Sequence, residues 1–186
     1  MAERFNGVEN TAMDLLDRFL GHDAWTTREL LIRCRDLTDE QLDRQFPIGP
    51  GSLRATFDHI VYNTEVWTDL MKGLPIPKHP GAAATSTPRL IERLDAAAAE
   101  FARVARRIQS EGRLDELFAD PEEDGTIVMK TFGAGIAHTI THSMHHRAQV
   151  LNMMRHLGMT NLIEGDVLTW ERTHRPDGWP RRTNPS

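Results

Sequence analysis

The stretch Ala137-His-Thr-Ile-Thr-His-Ser-Met-His-His-Arg-Ala-Gln149 places four of the chain's nine histidines, His138, His142, His145 and His146, within nine residues. It lies in a segment from Phe132 to Gly158 that contains no proline. Glycine occurs only near its start (Gly133, Gly135) and at its stop (Gly158), the punctuation of a helix. At about 100° per residue, His138, His142 and His146 climb one face, joined by Gln149 and Met153. Imidazoles four apart on a helix can hold one metal ion together, and a buried polar network uses the same spacing. The choice depends on whether another segment supplies a third ligand.

The rest of the chain reads as helices built around this one. Met13, Leu16, Leu20, Leu30 and Leu31 recur at helical steps and predict a long helix from about Val8 to Cys34, bent at Gly21. Thr38, with Gln41 three residues on, predicts a capped short turn, and Phe46-Pro-Ile-Gly-Pro-Gly51 a loop. Ser52 is a good cap for a second helix ending at Gly73. On it His59 shares a side with Ala55, Tyr62, Val66 and Leu70, flanked by Asn63 and Trp67. Asp58, Glu65, Asp69 and Lys72 fall mostly elsewhere, so His59 is predicted to point inward. Leu74 to Ser86 is a connection, and Thr87-Pro88 caps and starts a third helix running to about Ser110. Leu117-Phe118 and Ile127-Val-Met129 flank an acidic turn and predict a small hairpin or extended loop. The expected fold is all-α: a four-helix bundle, up-and-down or with a crossover, in one domain over residues 1–170, followed by a polar tail over 171–186.

Composition narrows the function classes. Acidic residues outnumber basic ones 27 to 22, which gives no electrostatic case for nucleic acid or a membrane surface. Cys34 is the only cysteine, so neither an intramolecular disulfide nor a thiolate cluster is available, and it reads as a helix-packed thiol. The N-terminus lacks a signal-peptide run and no stretch reaches transmembrane length, pointing to the cytoplasm. The fourth helix has a second apolar side (Ile140, Met144, Leu151, Met154), which suggests packing against a partner copy in a homodimer.

Three segments resemble one family. Gly49-Pro-Gly-Ser-Leu-Arg-Ala-Thr-Phe-Asp-His59-Ile-Val, with Trp67 eight residues on, resembles the second-helix signature of the DinB-like (DinB/YfiT) superfamily. Ala137 to Gln149 is similar to its fourth-helix signature, His, three residues, then His-Arg-Gly-Gln, with Ala148 in place of the glycine. His22-Asp-Ala-Trp25 and Asp36-Leu-Thr-Asp-Glu-Gln-Leu42 are similar to its first helix and turn. The resemblance spans roughly Met13 to Trp170. It implies a four-helix bundle holding a divalent metal by three histidines, here His59, His142 and His146. It also implies either a thiol-dependent transferase or isomerase using a low-molecular-weight thiol, or a member without assigned activity.

Three protein ligands with open positions is the pattern of a catalytic metal site. Zinc or nickel is the expected ion in purified protein. The match at Arg147 and Gln149 sets the ligand register on His142 and His146, which leaves His138 as a pocket residue and His145 as a surface or packing one. Gln149 and Asn63 are candidates to orient ligand imidazoles, or are plain inter-helix hydrogen-bonding residues. Trp25 and Trp67 line a pocket mouth or simply pack. Other readings remain open: a non-catalytic, stress-related metal-binding protein, a helical dimerisation module, or a metal-dependent hydrolase. The catalytic residues and the substrate are not readable.

Overall fold

A computed structural model of the chain describes residues 13–79, 81, 85–122 and 124–174. Six helices and one hairpin follow in order: α1 (Leu15–Arg33), α2 (Asp39–Asp43), α3 (Leu53–Met71), α4 (Thr87–Ser110), β1 (Leu117–Pro121), β2 (Ile127–Thr131), α5 (Phe132–His156) and α6 (Val167–His174). Each start has a local chemical cause. Asp14 accepts from the Asp17 amide at 2.7 Å and opens α1. Helix α1 therefore begins later than the Val8 expected from periodicity; residues 8–12 themselves lie outside the described residues. Thr38 and Gln41 close a reciprocal capping box at α2, and Ser52 caps α3. Helix α4 is capped by Ser86, not Thr87; the serine hydroxyl accepts from the Arg89 amide and Thr87 is already helical. Thr131 accepts from Ala134 and starts α5 directly from the strand. Gly158, at φ +81, takes the left-handed position just past the Leu157 C-cap.

The four long helices pack in the cyclic order α1, α4, α3, α5, so α1 faces α3 across the diagonal, and α4 faces α5. Both diagonal steps need long connections, and the chain supplies them. Residues 34–52, with α2, carry the first, and the antiparallel hairpin between α4 and α5 carries the second. The bundle is therefore of the crossover kind.

Two apolar clusters fill its ends. Leu30, Leu31, Leu53, Phe57, Val61, Leu94, Val150, Met153 and Met154 belong to one. Leu20, Leu70, Phe101, Ile108, Phe118, Phe132 and Ile136 belong to the other. Between them, α1, α3 and α5 carry buried polar side chains. Thr27, Thr64, Thr68 and Thr139 satisfy their hydroxyls on carbonyls four residues back in their own helices. Helix α1 runs unbroken through Gly21, where a Cβ would overlap the Trp170 indole, so this glycine admits α6 onto α1. Helix α6 itself carried no clear sequence signal and continues past residue 170 to His174; residues 175–186 of the expected tail lie outside the described residues. No helix among the described residues is long and apolar enough to cross a membrane.

Candidate metal centre

Helices α3 and α5 are direct neighbours, and their registers bring three imidazoles together. On α3, Phe57, Ile60, Val61 and Thr64 form the fully buried side, and His59 is turned from it, half-buried, toward α5. On α5, His142 is half-buried and His146 is 8% exposed. His59 Nε2 lies 3.1 Å from His142 Nε2, which lies 3.2 Å from His146 Nε2. All three ligand nitrogens fall within 4.8 Å of one another.

Proton placement decides what this cluster can hold. Gln149 Nε2 donates to His145 Nε2 at 2.8 Å, so Gln149 Oε1 accepts from His146 Nδ1 at 2.8 Å. His146 is then the Nδ1–H tautomer, and its Nε2 lone pair is directed at the cluster. Nε2 of His142 has a single in-plane position, either a proton or a lone pair. It therefore makes one of its two short contacts as a hydrogen bond and leaves the other unmade. One cation among the three rings satisfies both contacts. Nitrogens about 2.0–2.1 Å from a shared ion in tetrahedral or octahedral geometry stand about 2.9–3.4 Å apart, which matches the two short separations, while the His59 and His146 nitrogens lie within 4.8 Å of each other. The donor set fits a divalent metal.

Electrostatics favour the ligating form. Burial, then neighbouring His146, His59, His138 and His145, pushes the His142 imidazole from 6.5 to about 4. Burial followed by the His146 charge lowers His59, and burial lowers His146 against the opposing Gln149 hydrogen bond. All three are neutral near pH 7, with lone pairs available.

The other sequence candidates divide. Gln149 reaches a ligand ring. Asn63 does not: its Oδ1 is buried without a hydrogen-bond partner, and so is Nδ1 of His142. His138 is exposed, its ring 5.4 Å from that of His142 and 4.8 Å from Trp67. Lys130, from β2, sits 5.2 Å above the Trp67 ring and pairs with Asp120, so Trp67, His138 and Lys130 form a wall beside the three imidazoles. Trp25 is elsewhere; with Trp170 and His174 it lines a groove of about 420 Å³ between α1, α4 and α6. Cys34 is fully buried and its thiol is pushed up to about 12 by burial, which removes it as a nucleophile.

Three residues carry more than their sequence positions suggested. Asp58, grouped above with the residues off the inward side, is 1% exposed and accepts from Arg93 at 2.6 Å and His79 at 2.8 Å. The signal was an arginine beside the apolar stripe of α4, with nothing local to neutralise it. Arg147 does not face the cluster; it is buried and pairs with Asp23 of α1. His145, expected as a surface or packing residue, accepts from the Gln149 amide.

Comparison with known proteins agrees with this architecture. A crystal structure of a DinB-like protein from Bacillus cereus ATCC 10987 superposes with a TM-score of 0.54 at 23% identity, covering 75% of this chain and 88% of that one, and shows the fold. No curated protein matches the chain. The family model described as the DinB superfamily matches residues 22–150, more than half of the sequence, and the chain belongs to that superfamily.

Proposed function

We propose that the protein binds a divalent metal through His59, His142 and His146 and uses it as an enzyme of the thiol S-transferase or isomerase type. The observation that supports this reading most is the convergence of three neutral Nε2 atoms at 3.1 and 3.2 Å, with the His146 tautomer set by Gln149. Three protein ligands leave coordination positions for water or a thiol. A bound divalent ion lowers the pKa of such a ligand enough to give a nucleophile at neutral pH. The chain's own groups hold the three rings, keep them unprotonated and wall one side with Trp67, His138 and Lys130. Partial desolvation of the exposed ring and then the Lys130 charge lower the His138 pKa, so its ring is neutral near pH 7 and able to take a proton. The thiol chemistry rests on family membership. A cytoplasmic location, zinc or nickel as the ion, and a second copy of the chain as partner belong to the same proposal.

The test has two stages. Chelator-stripped protein reloaded with zinc or nickel is expected to take up about one ion per chain, and His59→Ala and His142→Ala to lose nearly all of it. Equal uptake by parent and variants would sink the site. A screen of several small thiols against electrophilic acceptors, with and without metal, is expected to show transfer only in the loaded protein. Full uptake without transfer under any thiol leaves a non-catalytic metal protein as the reading.

A further inference from the structure

The loop from Phe46 to Gly51, just before α3, reaches Gln149 beside the metal centre at Gly49. It is held by its own hydrogen bonds: Phe46 N donates to Gly51 O at 2.7 Å, Ile48 N to Phe46 O at 2.8 Å, and Gly51 N to Ile48 O at 3.1 Å. Phe46 and Ile48 pack on the apolar cluster below, so the loop is a firm surface. At its apex Gly49 has φ +52, and a Cβ there would overlap Gln149 Oε1 and stand 2.7 Å from Gln149 Cδ. The Gln149 amide is thus confined by the Gly49 backbone, by His146 Nδ1 at 2.8 Å and by His145 Nε2 at 2.8 Å.

We infer that Gly49 and His145 are positioning residues that lock the Gln149 amide in one orientation and thereby keep His146 in its metal-binding tautomer. The amide has two ends, and they have opposite effects. With Oε1 toward His146, Nδ1 carries the ring proton and Nε2 is a ligand. With the amide reversed, Nδ1 must accept, the proton moves to Nε2, and the ligand is closed. His145 in its Nδ1–H form offers Nε2 as an acceptor and so favours the productive end. Gly49 is the one residue type that lets the loop lie against that end without displacing it. The inference rests on reading the three histidines as a metal site, and it extends that site by two residues that touch no metal.

The test uses the full-length chain with zinc alone, its affinity measured by chelator competition. Gly49→Ala, Gln149→Ala and the double variant form a cycle. Gly49→Ala and Gln149→Ala are each expected to weaken zinc binding about ten- to hundredfold, the scale seen when a group orienting a ligand is lost. The double variant is expected to bind like Gln149→Ala alone, because the added methyl then has no amide to displace. His145→Ala, at an exposed position, is expected to weaken binding several-fold without altering the thermal melt. Parental affinity in Gly49→Ala and His145→Ala, or multiplied losses in the double variant, would overturn the inference. A second readout separates it from the metal reading: imidazole ¹⁵N shifts of the metal-free protein. His146 is expected as the Nδ1–H form in the parent and as a mixture in Gly49→Ala. An unchanged tautomer there would defeat the inference whether or not the parent binds zinc. A parent that binds no zinc but shows the tautomer change would defeat only the metal site.

Discussion

Each histidine of the three-imidazole cluster is held below its ordinary pKa, and for His142 the value reaches about 4. That depression has a defined consequence for stability. Between pH 6.5 and about 4 the unfolded chain takes up a proton at this position that the fold refuses. Acidification through that window therefore favours unfolding, and above pH 6.5 this group contributes no pH dependence. His59 and His146 shift in the same direction and add to the effect. In metal-free protein the urea midpoint is expected to be level from pH 8 to 7 and to fall steadily below 6.5. In His142→Gln the fall should be visibly shallower. Identical slopes in the two proteins would show that the buried imidazole is not the source. Helical spacing put His138, His142 and His146 on one face without choosing among them; the family resemblance at Arg147 and Gln149 singled out His142 and His146 and added His59. Gly49 was not legible, since it meets the Gln149 amide only where a loop 100 residues away in sequence folds onto it, whereas His145 stands one turn before Gln149 on the same helix and helical spacing allowed that pair.

At the scale of elements, a buried ion pair joins α5 to α1 beside their shared apolar cluster. Arg147 is 3% exposed and donates to Asp23 and, at 3.2 Å, to Thr27 Oγ1. Burial raises the Asp23 pKa, with the Arg147 charge and hydrogen bond opposing it, so the aspartate depends on its partner. Removing one member strands the other charge. Arg147→Met is expected to cost about 3–5 kcal/mol, while Arg147→Met combined with Asp23→Leu should recover most of that loss. Denaturant melts of both variants and the parent decide this; a double variant as weak as the single one would show that the pair itself stabilises the bundle. Metal stoichiometry should persist in the double variant, because Arg147 faces away from the imidazoles. Periodicity places Arg147 about 100° around the helix from His146 but does not say which residue it meets there. Helix starts were legible where a cap hydroxyl precedes an apolar stripe, as at Thr38 and Ser52. The error at α4 was one residue, because Ser86 and Thr87 are chemically equivalent caps and only the structure distinguishes them. Helix α6 was missed because its main anchor, Trp170, fits into space left by a glycine about 150 residues earlier.

For the whole molecule, the sequence specified a bundle but left its connectivity open between up-and-down and crossover, since both use the same amphipathic helices. The long connections at 34–52 and 111–131 are what permit the diagonal steps. The same scale governs the proposed partner copy. The solvent side of α4 is charged, with Arg89, Glu92, Asp95, Arg103, Arg106 and Arg107 exposed. The exposed side of α5 is different: Ala134, Ala137, Thr141, Met144 and Ala148 recur at alternating steps of three and four and carry no charge. Of the second apolar side expected to meet a partner, Met154 is fully buried and Ile140 and Leu151 pack on the two apolar clusters, so only Met144, 55% exposed, stays at the surface, where small residues on either side of it allow another helix to approach closely. Two copies meeting on this strip bury it from both sides, as a two-fold contact requires. The strip borders His138 and His145 on the helix surface, so such a contact would sit at the edge of the metal centre without covering its ligands. Sedimentation of the parent at micromolar concentration is expected to give a dimer. Ala148→Glu puts two like charges at the contact and is expected to give a folded monomer that still loads zinc. A monomeric parent, or a dimer untouched by Ala148→Glu, would place the partner surface elsewhere or remove it.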